Sequence, residues 1–351
     1  MVHGETVPKV GFRPAVWATA ERNPFKTELG LTTLGETLGL DAIFFGDRML
    51  SSVHANGRPV YRSSHTEVTV TLAAMAARSK KIFVSPLVLV APFRHPVQLA
   101  KVAASLDLLS EGRLLLPLGA GWNLHEFETL GIPKAEAAGR LEESITIIRR
   151  LWTGESVSFE GRYYSLKDVA ISPLPYRVGG PPIWLGSFGP MSNDVWGGTS
   201  LSKATERSLA RVGRQADVWV PMLYDAAHRT CISPHLLSDA WARVNIEASA
   251  AKRPGGVSFA FSHWFHCVET REDEEDLVQG LSAFFGGSIQ EARDTYLIGS
   301  VDEIIERVDL LLGDSISPEW FILTMLNSST RQLELLANVI APRLRTLRTY
   351  S

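Results

Sequence analysis

The stretch Ile82–Pro133, IFVSPLVLVAPFRHPVQLAKVAASLDLLSEGRLLLPLGAGWNLHEFETLGIP, decides how the chain is read. An apolar β-branched run is followed by an amphipathic segment opened by Pro96, a Ser-Glu-Gly turn, a second apolar run and a Gly-rich exit. Strand, helix and strand follow with almost no chain between them, which predicts a βαβ unit with parallel strands. The second strand ends in Gly119-Ala120-Gly121, where missing side chains let a flat ligand approach the backbone. A cofactor pocket is therefore expected at the carboxyl end of that strand.

On either side the same alternation continues. Lys9–Val16 predicts a strand, Phe25–Leu38 a helix, and Asp41–Gly46 a short buried strand that ends at Asp47-Arg48. The polar stretch Ser51–Ser64 has no periodicity, and loops of that length are usually functional. Val68–Arg78 leads as a helix into the central unit, and Ala135–Trp152 carries Leu141, Ile145, Ile148 and Leu151 on one stripe. Val157–Tyr164 predicts a small hairpin turning at Gly161. Pro181–Gly186 is a fifth strand, and Ser187–Ser202 a Gly/Ser-rich loop. Helix Thr205–Gln215, with Thr205 as its cap, precedes strand Asp217–Pro221. Ser238–Ala251 with Val257–His266, and Val301–Leu312 with Trp320–Met325, repeat the pattern, and Arg331–Leu347 closes the chain as a helix.

About eight strands separated by helices, with no Pro/Gly-rich linker, fit an α/β fold of the (β/α)8 TIM-barrel type with loop insertions. One domain over residues 1–351 is expected, with insertions near 51–64, 154–172, 187–204 and 267–297. The composition, 45 % hydrophobic and 21 % charged in 351 residues, allows a large core. No apolar run approaches the roughly 20 residues that span a bilayer, and the first residues lack a secretory pattern, so the cytoplasm is the expected location. A net charge of −3 with mixed signs gives no footprint for nucleic acid. Cys231 and Cys267 match no metal-ligand spacing and are expected as thiols.

The segment RHPVQLAKVAASLDLLSEGRLLLPLGAGWNLHEFETLGIP resembles the signature of the bacterial-luciferase-like superfamily of flavin monooxygenases and F420-dependent oxidoreductases. The likeness continues through RLEESITIIRRLWTGESVSFEGRYYSL, PPIWLGS, QADVWVP and LELLANVIAPRLR. It implies a (β/α)8 barrel with a flavin ring in its mouth. By position, the ring is expected against Ser85, Pro86 and Leu87, against Gly119, Ala120 and Gly121, and near Asp47 and His125. A non-proline cis peptide is implied near Pro86-Leu87. For the phosphate, the resemblance points to Gly186-Ser187 and to Thr205 and Arg207. A helix amino end favours an anion there, while Glu206 opposes it.

Three departures from the family pattern stand out. Pro117 replaces the first glycine, Arg48 replaces a frequent histidine, and Trp122 stands where sugar-phosphate dehydrogenases of the family carry an acidic residue. The last two set this chain apart from that particular activity.

Several polar groups have a plain structural reading beside a functional one. Asp107 and Arg113 flank the turn and are expected as a buried ion pair, and His95 as a helix-start residue. His125 and Glu128 have the i, i+3 spacing of a metal pair, but no second pair completes a site, and no metal is expected. Alternation sends at most one of His263 and His266 to the barrel mouth. His54 and His65 bracket the long loop, and histidine suits proton transfer at working pH. Asp47, His65 and His263 are the candidates for catalytic assistance.

The leading expectation is a flavin-dependent monooxygenase using reduced FMN and O2 on a small-molecule substrate, with a separate flavin reductase as partner. The alternative is an F420-dependent dehydrogenase or reductase, whose acidic tail would meet Arg48, Arg58 and Arg62. A non-catalytic flavin-binding protein is the alternative from another class. The resemblance further implies a homo-oligomer, dimer or tetramer.

Overall fold

The structure is a computed structural model that describes residues 7–15, 23–50, 52–55, 58–62, 65–187, 201–225, 229–282, 285 and 287–347. Hydrogen-bonded strands run in the order Phe83–Pro86, Ala42–Phe45, Lys9–Arg13, Trp320–Met325, Ser258–Cys267, Val218–Trp219, Ile183–Leu185, Leu116–Gly119 and Leu89–Val90. Leu297–Gly299 adds to the flank of Ser258–Cys267. The two ends of this order are halves of one stretch, residues 83–90, so the mostly parallel sheet is that of the expected (β/α)8 barrel. Ala42–Phe45, Leu116–Gly119 and Trp320–Met325 are buried at every position, as parallel strands covered by helices must be.

By contacts the chain divides into two compact units, residues 44–185 and residues 1–43 with 186–351. In the first, Val68–Arg78, Pro96–Leu109 and Ala137–Leu151 are the main helices. His95 caps the second of these, its Nδ1 accepting from the Val97 N–H, with Pro96 at a position that needs no donor. The Trp152 indole N–H donates to the Ala100 carbonyl and ties the second helix to the third. The hairpin Val157–Glu160 with Ser165–Val169 is held by one residue of that helix, Glu143, whose carboxylate accepts from the N–H groups of Arg162, Tyr163 and Tyr164.

Charges at both ends of this unit are spent on structure. Asp107 is fully buried and accepts from the backbone and guanidinium of Arg177, not from the expected Arg113. Arg113 donates instead to the carbonyls of Ala76, Ser79 and Ile82, closing the carboxyl end of Val68–Arg78. At the opposite end Asp47 accepts from the Val90 N–H at 2.8 Å and from both terminal nitrogens of Arg94 at 2.6 and 3.0 Å. Arg94 also reaches Glu67, which caps Val68–Arg78 by accepting from Thr69 and Val70 N–H. The exit of one strand, the end of the next and the start of a helix thus meet at one guanidinium.

The second unit packs Lys203–Gln215 on Pro234–Ala250 at Gly213, where a Cβ would lie 2.6 Å from the Val244 carbonyl oxygen. Trp241 stacks on Trp219 at 6.0 Å, and Phe259 meets both rings edge-on. Arg271–Ser282 and Ile289–Thr295 fill the expected insertion at 267–297 and enclose an apolar cluster of Tyr224, Leu277, Leu281, Phe285, Tyr296 and Ile298.

Other expectations change in detail. The first strand ends at Arg13. Within 51–64 an antiparallel pair, Ser52–Ala55 with Arg58–Arg62, replaces the aperiodic loop. A further small pair, Tyr224–Asp225 with Thr230–Cys231, was not anticipated. Lys203 opens the sixth helix and Ser202 caps it, so Thr205 is not the cap. The closing helix is broken into Thr330–Leu335, a π turn over Leu336–Ile340 and Ala341–Thr346. Most of the Ser187–Ser202 loop, residues 188–200, lies outside the described residues.

The Asp47 cluster gives a direct stability test. The Asp47 and Arg94 side chains are 2 % and 10 % exposed, whereas that of Glu67 is 43 % exposed. Asp47→Ala leaves a buried guanidinium without its main partner and should cost about 3–5 kcal/mol. Glu67→Ala removes a cap and a half-exposed pair and should cost only about 1 kcal/mol. Urea unfolding midpoints at constant slope measure both, and equal losses would contradict this ranking.

Candidate active site

The site builds from the carboxyl ends of Ala42–Phe45, residues 83–90 and Leu116–Gly119, all within one unit. Residues 82–90 are buried apart from Phe83, Leu87 and Val88. The Leu87–Val88 peptide is cis, one bond beyond the expected Pro86-Leu87, and the Leu87 N–H donates to the Phe45 carbonyl. Beyond this break Val90 is fixed by Asp47. Ser85 is fully buried and its hydroxyl donates to the Pro86 carbonyl, so it offers no polar group to a ligand, and Pro86 is buried beside it.

Gly119 is buried, and the chain becomes partly exposed at Ala120 and Gly121. Gly121 has φ +76°, and a Cβ there would lie 2.6 Å from Val90 Cγ1 and 3.0 Å from Phe127. The glycine is thus required by its backbone and its packing before any ligand is considered. Its carbonyl accepts from Lys134 Nζ at 2.9 Å, and the same ammonium sits 4.9 Å from the centre of the Phe127 ring.

Beyond the glycines, Asn123 caps the short helix Leu124–Thr129 through the His125 N–H. Glu126 is 3 % exposed and accepts from the N–H groups of Met49 and Leu50. It was not singled out in the sequence; its polar type on a short helix gives no sign of a partner 77 residues away. Trp122 is 39 % exposed, with the Arg48 guanidinium 4.6 Å above its ring. An indole and a cation at this rim favour flat or apolar organic groups.

The catalytic candidates part company. Asp47 carries three hydrogen bonds and is almost wholly buried, which makes it a structural anchor at the site's edge. His263 is fully buried in the other unit, beside Tyr224 and Phe261. Its Nδ1 lies 2.9 Å from the Trp264 nitrogen and 3.0 Å from the Trp264 carbonyl oxygen, and its Nε2 3.5 Å from Cys231 Sγ. Burial pushes its pKa from the ordinary 6.5 down to about 3, so it stays neutral and is unsuited to donate a proton at neutral pH.

His266 is also fully buried, its Nε2 donating to the Asp273 carbonyl. Neither histidine of this strand therefore matches the expectation of a group at the mouth. His65 is partly exposed just before Val68–Arg78. The His54 side chain lies outside the described residues. The His125 side chain is 53 % exposed, 4.0 Å from Glu128.

Of the phosphate candidates, Ser187 gives its carbonyl to the Trp219 indole N–H. Thr205 is buried, and its hydroxyl lies 3.1 Å from that of Ser202. Arg207 is exposed on the first turn. Gly186 is partly exposed at the end of Ile183–Leu185.

Comparison with known proteins adds the following. A glucose-6-phosphate dehydrogenase described as F420-dependent, from Microbacterium testaceum, is 33 % identical over 202 residues, 56 % of this chain and 56 % of that one. The chain thus spans about half the length of this relative. A protein of the same description from Rhodococcus hoagii is 25 % identical over 96 % of this chain and 99 % of its own. Among solved structures, monooxygenase RslO1 from Streptomyces bottropensis superposes with a TM-score of 0.73 at 20 % identity, covering 95 % of this chain and 99 % of that one, which supports the fold. A family model described as luciferase-like monooxygenase matches residues 9–198. The chain therefore belongs to the luciferase-like monooxygenase family.

Proposed function

We propose that this protein is a cofactor-dependent oxidoreductase that uses F420 to move hydride to or from a small organic substrate. The observation that carries this reading is the pair of partly exposed stretches, Leu87–Val88 and Ala120–Gly121, at otherwise buried strand ends. Both lie bare of large polar side chains, and they are joined through the contact of Val90 with Gly121. A flat tricyclic ring fits against such a surface. The relatives described as F420-dependent favour the deazaflavin over FMN.

When bound, F420 supplies the hydride chemistry itself. The chain's own residues bind, orient and exclude water. Asp47 and Arg94 keep the end of the third strand in place, and Gly121 keeps its carbonyl on Lys134. Trp122 and Arg48 form the proposed substrate-facing rim, and Arg48 is a candidate partner for an acidic cofactor tail. Proton transfer is assigned to His65, the partly exposed residue among the three catalytic candidates, whose two ring nitrogens are buried and must be reached from within the site. Gly186, Ser187, Thr205 and Arg207 are the proposed phosphate contacts, His125 lies at the rim, and the working form is a homo-oligomer.

The rim argues against sugar phosphates as substrates. Trp122 stands where an acidic group would accept hydrogen bonds from a sugar's hydroxyls, whereas an apolar alcohol or ketone can bury its carbon against the indole. The FMN monooxygenase is the competing version, with a small-molecule substrate and a separate flavin reductase.

Fluorescence titration of the purified protein with F420 and with FMN separates the two. F420 should bind at least about tenfold tighter, a difference of about 1.4 kcal/mol. A preference for FMN, with substrate-dependent oxygen uptake, would reject the F420 version.

His263 gives a second, pH-based test. Its folded pKa of about 3 lies below the unfolded 6.5. The stability it contributes is therefore complete above pH 6.5 and is lost as pH falls from there toward 3, at up to about 1.4 kcal/mol per pH unit. His263→Gln should flatten the acid branch of urea stability and leave turnover at pH 7 within a few-fold of wild type. A large loss of turnover with unchanged acid stability would restore His263 as a proton donor.

A further inference from the structure

Lys134 holds the carbonyl of Gly121 at the exit of the glycine strand. It opens the short turn Lys134–Glu136 after Pro133, is half-buried, and has its Nζ 2.9 Å from the Gly121 carbonyl oxygen. Nothing about the packing of Gly121 demands a cation there. Val90 and Phe127 already fill the space that a side chain would take. The Phe127 ring flanks the ammonium at 4.9 Å, and desolvation lowers the lysine's pKa from 10.5. A charge has been brought out of water to touch one peptide.

That peptide, Gly121–Trp122, is trans, so its N–H points away from its carbonyl. With the carbonyl turned to Lys134, the Trp122 N–H faces the opposite direction, at the exit of the glycine strand. Hydrogen bonds in a chain polarise one another, and a carbonyl bonded to an ammonium makes its own N–H a stronger donor. We propose that Lys134 is a positioning residue for the ring cofactor: it orients and polarises the Gly121–Trp122 peptide so that the Trp122 N–H donates to an acceptor on the ring's edge. This rests on the cofactor reading above and adds to it a residue that never touches the ring.

The test uses the full-length protein, titrated with F420 and with FMN, in wild type and the variants Lys134→Met and Lys134→Arg. Lys134→Met should weaken binding of the preferred cofactor about tenfold, the scale of one charge-assisted hydrogen bond lost. The visible absorption band of the bound ring should move from its wild-type position. Lys134→Arg should restore both to near wild type, because the guanidinium still donates to the carbonyl. Apoprotein melting, followed by circular dichroism, separates folding from positioning. If Lys134→Met melts early, Lys134→Ala, which likewise lacks a donor, replaces it in the same titration.

Wild-type affinity and an unmoved band in Lys134→Met, or in its replacement, would overturn the positioning role while leaving the cofactor reading intact. Failure of wild type to bind either ring would overturn both. An arginine variant as weak as methionine in binding and band position would also reject the role.

Discussion

One carboxylate holds the site's frame. Asp47 ends the second strand, yet its three acceptor contacts go to Val90 and Arg94, more than forty residues further on. Without it the backbone of Val90 would lose its partner at the point where the third strand has just been interrupted. Val90 is also the side chain on which Gly121 rests. The chain of dependence therefore runs from a buried acid to a valine, from the valine to a glycine, and from the glycine's carbonyl to Lys134. Each step is a contact a few ångströms long, and together they fix two partly exposed strand ends.

The surroundings of these peptides are poor in free polar chemistry. Asp47, Glu126 and Ser85 all look functional by residue type; Glu126 and Ser85 are spent on backbone groups and Asp47 on the Val90 N–H and the Arg94 guanidinium. His263 and His266 are sealed in the core as neutral imidazoles. What the protein offers a ligand is shape, backbone and an aromatic rim. This fits an enzyme in which the cofactor brings the reactive centre and the chain arranges it.

Much of this architecture was legible in the residues. Val68–Arg78, Val301–Leu312 and Trp320–Met325 fall where periodicity and caps put them, because each is a long or wholly apolar segment with clear ends. The barrel followed from the alternation of such segments, and the glycine exit from its composition. What escaped was long-range pairing. Asp107 chose Arg177 over the nearer Arg113, and Glu126 found Met49, because a charge in sequence carries no record of which distant backbone needs it. The hairpins at 52–62 and 224–231 were hidden by their polarity and shortness. Ser202 displaced Thr205 as a cap since either residue type serves, and two positions decide it. The burial of His263 escaped the sequence because strand alternation gives a face, whereas the neighbouring Tyr224 and Cys231 decide what covers that face.

The double use of Gly121 limits how this pocket can diversify. Alanine at this position would meet Val90 on one side and a left-handed backbone on the other, so the backbone at this strand exit cannot be retuned by a side chain placed here. Selection, or an engineer's library, must work instead through rim positions such as Trp122 and Arg48, whose side chains are partly exposed. Backbone shape at the strand exit and side-chain character at the rim are thereby set by different residues, and the second can drift while the first stays fixed.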